Sequence, residues 1–152
     1  MRKILYTLVL SAFAAPLFAS DARVGTWKLD PDKSVYKVGS APKNVTIVIS
    51  TEGATLQETI TGSAMDGSPI NVAFTVPVKG GSGSVQKGDF DGVSVKQVSS
   101  HVWETHYMRG GKELRAVRLV VSPDGKTMRS NMKGVNSAGQ QVDGTALYQK
   151  QD

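Results

Sequence analysis

His101-Val-Trp-Glu-Thr-His-Tyr-Met108, Arg109-Gly-Gly111, Lys112-Glu-Leu-Arg-Ala-Val-Arg-Leu-Val-Val121, Ser122-Pro-Asp-Gly125 and Lys126-Thr-Met-Arg-Ser-Asn-Met-Lys-Gly134 form one unbroken stretch, and its reading decides the fold. Pro at the second position and Gly at the fourth suit Ser122–Gly125 to a type I turn. The β-branched run on one side and the alternating run on the other then pair as an antiparallel hairpin. Arg109-Gly-Gly111 is a second tight reversal, which folds the His101–Met108 run back onto the strand that starts at Lys112. Three adjacent strands follow from this stretch alone.

The same rhythm continues outward. From Val45 there are eight candidate strands, the first Val45–Thr51 and the last Gln141–Gln149. The Trp27 run makes a ninth, and Ser84–Lys87 offers a tenth. Breaks fall at pairs such as Glu52-Gly53, Asp66-Gly67 and Asp124-Gly125, too short for the crossovers that parallel strands need. Val45, Ile47 and Ile49 alternate with more polar neighbours, as do Ile70, Val72, Phe74 and Val76, so each strand has one buried face. The expectation is an all-β, antiparallel up-and-down meander closed into a barrel of eight to ten strands, because an open sheet of that size exposes two edges and an apolar face. A two-sheet β-sandwich is the alternative. Asp30 to Asn44 is broken by Pro31, Gly39 and Pro42, leaving space for one helical turn at most, and Gly80-Gly-Ser-Gly-Ser84 reads as a flexible loop.

Residues 1–19 read as an address: Arg2 and Lys3, an apolar run from Ile4 to Phe13, then small residues, the pattern of a secretory signal peptide cleaved after Ala14 or, better placed, Ala19. The apolar run is too short for a membrane span, so the expected mature chain, 20–152, is one exported domain without a transmembrane segment, periplasmic or extracellular, and a monomer or weak oligomer. The chain of 152 residues carries a net charge of +5, and removing Arg2 and Lys3 leaves +3. Its basic residues are interspersed with acidic ones, which argues against a nucleic-acid partner. With no Cys there is neither a disulfide nor a lipid-anchoring thiol, and stability rests on the core.

Gly25-Thr-Trp-Lys-Leu29 resembles the opening strand of the calycins, the superfamily of lipocalins, fatty-acid-binding proteins and avidins, whose Gly-x-Trp sets an indole across the barrel base. Gly111-Lys-Glu113, Arg118, Asp124-Gly-Lys126, Met132-Lys-Gly-Val135 and Thr145-Ala-Leu-Tyr-Gln-Lys150 are similar to the second half of fatty-acid-binding proteins. The resemblance implies a lipocalin-like barrel, Gly25 and Trp27 as structural residues, and Arg118 and Tyr148 at the positions of that family's inward Arg and its Tyr. Its final Thr-Arg-x-Tyr carries Ala146 in place of the Arg, and the helix pair that lids those barrels has no room here.

Read as residues, Trp27 closes one end of the barrel, with Lys150 placed for a cation–π contact. Arg118 shares a strand parity with Leu114, Ala116 and Val120. If that row faces inward, its buried charge needs a ligand anion as partner; the opposite row, Val117, Leu119 and Val121, is equally apolar. His101 and His106 fall on opposite faces of their strand and cannot share a metal. Glu104 and His106 share one face, but no nucleophile or nucleotide motif accompanies them. The sequence therefore points to a non-enzymatic exported barrel, with no metal or other cofactor, holding a small, mostly apolar molecule at Arg118 and Tyr148, an anionic one if Arg118 faces inward. A packed barrel acting through its surface on protein or envelope partners is the alternative, and a small hydrolase or isomerase using Glu104 and His106 the remote one.

Overall fold

The computed structural model describes residues 20–136 and 139–152; the signal-peptide reading of residues 1–19 lies outside them. Eleven strands run in chain order: β1 (Gly25–Val38), β2 (Asn44–Glu52), β3 (Thr55–Ser63), β4 (Pro69–Pro77), β5 (Gly81–Ser82), β6 (Ser84–Lys87), β7 (Gly92–Ser99), β8 (Val102–Arg109), β9 (Lys112–Val121), β10 (Thr127–Val135) and β11 (Gln141–Gln151). All belong to one antiparallel sheet, ordered β5-β7-β8-β9-β10-β11-β1-β2-β3-β4-β6. Consecutive strands are neighbours almost throughout, and β11 returns to pair with β1, as a meander wrapped on itself requires. The architecture is a nearly closed barrel rather than a sandwich.

The seam is closed by the stretch the sequence reads as a loop. β5 pairs with β7 through Gly81↔Val95, while β6 pairs with β4 through Phe74↔Val85. Residues 81–87 thus pass from one free edge to the other, and the Gly83 amide donates to the Val93 carbonyl on the way. A Cβ at Gly83 would lie 2.0 Å from the Thr75 carbonyl oxygen. Glycine is needed there for close backbone approach, not for flexibility.

β1 is also longer than its prolines and glycines suggest. Its ladder with β11 skips from Asp30↔Leu147 to Val35↔Thr145, so Pro31 sits in a bulge where no ladder amide is required. Ser34 fills the gap: its Oγ donates to the Asp30 carbonyl at 2.7 Å and accepts from the Leu147 amide at 3.0 Å. At the deciding hairpin, the Gly125 amide donates to the Ser122 carbonyl at 2.8 Å, closing the expected turn.

Trp27, Trp103, Phe74, Ile49, Leu56 and Met128 are almost completely buried, and inward rows from both halves of the sheet join in one apolar cluster. Burying each large side chain contributes about 2 kcal/mol. Among the described residues there is no helix, and hence none long and apolar enough to cross a membrane.

Candidate functional site

The two ends of the barrel differ. At the base, the Trp27 ring is fully buried and its Nε1 donates to the Arg23 carbonyl at 2.8 Å. Lys150 Nζ lies 5.2 Å from the Trp27 ring centroid. Gly25 faces the Lys150 stem and holds φ at +143°, so the Gly25, Trp27 and Lys150 of the sequence reading meet in one place. Beside them the Arg23 guanidinium is buried 4.6 Å over the Trp103 ring. Its Nε and Nη2 donate to the two Asp21 oxygens at 3.0 and 2.7 Å. Burial alone would raise the Asp21 carboxyl; the hydrogen bonds and charge of Arg23 outweigh it and hold the group below its ordinary value. The base is packed and its two charges are paired, while the buried Trp103 Nε1 has no hydrogen-bond partner among the described residues.

Toward the other end the lumen holds a cavity of about 220 Å³. Its walls are mainly aliphatic, with Val45, Ile47, Ile60, Val72, Val117 and Leu119 among them. The β1–β2, β3–β4 and β10–β11 connections frame its mouth through Ser40, Met65 and Gln140. Six polar side chains from six strands reach the walls: Tyr36, Glu58, Tyr107, Arg115, Ser130 and Tyr148. An apolar chamber with a few convergent polar groups is the form of a small-molecule site.

Tyr148, singled out from the sequence, lines this cavity and is buried. Arg118 does not reach it. The inward row of β9 is Arg115, Val117, Leu119 and Val121, the opposite parity from Arg118, which stands on the outer wall bonded to Glu104 at 2.5 Å. This corrects the inward position implied by the family resemblance. The inward cation is Arg115, and its partner belongs to the chain itself: Nη1 and Nη2 donate to the two Asp89 oxygens at 2.9 and 2.8 Å, and Nη1 also donates to the Val135 carbonyl at 3.1 Å. The guanidinium lies 4.7 Å over Tyr107 and 5.4 Å over Phe90, whose rings meet edge to face. Burial pushes the Asp89 carboxyl up, and Arg115 overrides it, leaving the group below its ordinary value. Burial pushes the Tyr107 and Tyr148 phenols up, so both stay neutral hydroxyl donors.

Glu58 differs from all of these. It alternates with Leu56 and Ile60 on the inward row of β3 and is only 5% exposed. No described group donates a hydrogen bond to its carboxyl, and no cation pairs with it. Burial pushes this group up to about 7, with the Arg23 charge pulling the other way. Sequence reading passed over both Glu58 and Arg115, although each is a charged residue set on the apolar parity of its strand.

Glu104 and His106 do share a face, the outer one. Glu104 is taken by Arg118, and His106 Nδ1 lies 2.6 Å from Glu113. A half-exposed ion pair and a half-exposed His–Glu contact on a convex wall form no catalytic pocket, which removes the hydrolase or isomerase reading of Glu104 and His106. No cluster of three or more potential metal ligands occurs among the described residues.

The barrel has a solved counterpart. The fluorescent protein UnaG superposes with a TM-score of 0.54 at 17% identity, over 85% of this chain and 97% of that one. The two share a nearly closed antiparallel barrel. At that identity the likeness is one of fold alone. No protein-family model and no curated protein matches the chain.

Proposed function

We propose that this chain is an exported, non-enzymatic lipocalin-like barrel that holds a small, mostly apolar molecule in its lumen. The observation that carries the reading is the cavity itself: about 220 Å³, walled by aliphatic side chains, open at one end and sealed at the other by Trp27 and Arg23. Transfer of apolar ligand surface into such a chamber is favourable by about 25 cal/mol per Å². A lumen filled by side chains, which the surface-acting alternative needs, is at odds with this space. Export is supported by the basic start and apolar run of residues 1–19.

The test is native mass spectrometry of the chain purified gently from its own source, followed by organic extraction. A stoichiometric small molecule, lost when Val117→Trp fills the lumen, is the expected result. A bare protein mass that persists after incubation with a mixed lipid extract overturns the reading.

A further inference from the structure

The charges of the lumen are unevenly partnered. Arg115 is bound through both terminal nitrogens by Asp89, and Arg23 through Nε and Nη2 by Asp21. Neither guanidinium is available to a ligand anion. Tyr107, Tyr148 and Tyr36 present neutral hydroxyls, and Asp66 at the mouth accepts from the Ser68 amide and hydroxyl. What remains among the described residues is one carboxyl, Glu58, 5% exposed, facing the cavity among Ile60, Val72 and Phe74 without a described partner. A buried carboxylate without hydrogen bonds is costly, and a ligand cation relieves that cost where a ligand anion adds to it.

We propose that Glu58 is the specificity-determining residue of the lumen, and that its ligand is an amine with an apolar body whose ammonium seats on that carboxylate. The inference rests on the lumen-binding reading and narrows it to a chemical class, replacing the anion expected from an inward unpaired Arg. Tyr107 and Tyr148 supply hydroxyls beside the seat, while the aliphatic walls receive the body of the ligand. The group facing the ammonium must be ionised, so proton release from Glu58 accompanies binding. Burial holds Glu58 at about 7 in the empty barrel. Amine affinity therefore rises with pH through neutrality, a direction opposite to that of a carboxylic acid, which needs Glu58 protonated.

The experiment compares octylamine, octan-1-ol and octanoate, three probes with the same chain, by calorimetric titration at about pH 5.5 and about pH 8.5, where the amine stays charged. The expected result is that octylamine binds about 10-fold tighter than octanol at the higher pH, loses most of that advantage at the lower pH, and loses it at both in Glu58→Gln. Urea unfolding of that variant stays cooperative, showing an intact barrel. Octanol binding with no advantage for the amine, or an amine advantage that survives Glu58→Gln, overturns the amine assignment and leaves the lumen-binding reading standing. Tighter binding of octanoate than of octanol at the higher pH does the same. Failure of all three probes to bind overturns both.

Discussion

Arg115 and Asp89, 26 residues apart, meet through two parallel hydrogen bonds of 2.9 and 2.8 Å on the lumen wall. The pair anchors the 88–91 connection, and with it Phe90, against β9. It also neutralises the cation that an apolar cavity would otherwise offer to an anionic ligand.

Breaking that pair leaves a buried guanidinium without its counter-ion. Asp89→Asn is expected to lose about 3 kcal/mol in unfolding free energy, measured by urea denaturation at neutral pH. The folded Asp89 carboxyl lies below its ordinary value, so its stabilisation is present above the unfolded value and is lost as pH falls through the folded one. The deficit of the variant should therefore shrink in acid. A deficit under about 0.5 kcal/mol at neutral pH contradicts a structural role for the pair.

Glu58 gives the opposite slope. Its carboxyl is raised from 4.5 to about 7, so the folded protein holds more protons than the unfolded chain between those values. Stability is then full below the unfolded value and falls as pH rises to the folded one, by roughly 3 kcal/mol across the window. Glu58→Gln removes this component. Denaturation of the ligand-free protein at about pH 5 and about pH 8 should show the variant gaining on the wild type at the higher pH, and equal slopes in both proteins contradict the burial of an unpaired carboxyl.

At the base, Trp27→Ala is expected to cost about 4 kcal/mol through the cavity it leaves. Lys150→Met, which keeps the apolar stem, should cost about 0.5–1 kcal/mol from the lost cation–π contact. Gly25→Ala forces a Cβ onto a residue with φ of +143° and against the Lys150 stem, for a loss of about 1–2 kcal/mol. Thermal unfolding of the three variants gives the order, and a neutral Trp27→Ala would remove the base from this account.

Arg118→Ala should change stability by less than about 0.5 kcal/mol, because its pair with Glu104 is half exposed on the outer wall. It should also leave octanol binding unchanged. A tenfold loss of octanol affinity in this variant would mean that β9 presents the other row to the lumen.

The architecture was legible because turn chemistry is local. Ser122-Pro-Asp-Gly125 and Gly110-Gly111 specify reversals by themselves, and the alternation of Val45, Ile47 and Ile49 specifies a one-sided strand. The parity of β9 was not legible in the same way. Leu114, Ala116 and Val120 form as plausible an inner row as Val117, Leu119 and Val121, and the choice is made by ladders to β8 and β10. That ambiguity left Arg118 a candidate for the inner row and overlooked Arg115. Asp89 sits in a connection that no periodicity governs, so its pairing with Arg115 emerges only when the barrel closes. Glu58 was within reach: an acidic residue between Leu56 and Ile60 on one parity of a strand is a buried carboxyl wherever that strand faces a core. Gly80–Ser84 misled for another reason, since glycine there serves close approach at the seam.

The most direct test of the lumen as a binding site is an NMR titration of the protein with octan-1-ol, following backbone amides. The account predicts saturable shifts at Ile60, Val72, Val117 and Ser130 on the cavity wall, with Arg118 and Glu104 on the outer wall unmoved. Shifts confined to the outer wall, or none at all, would contradict it.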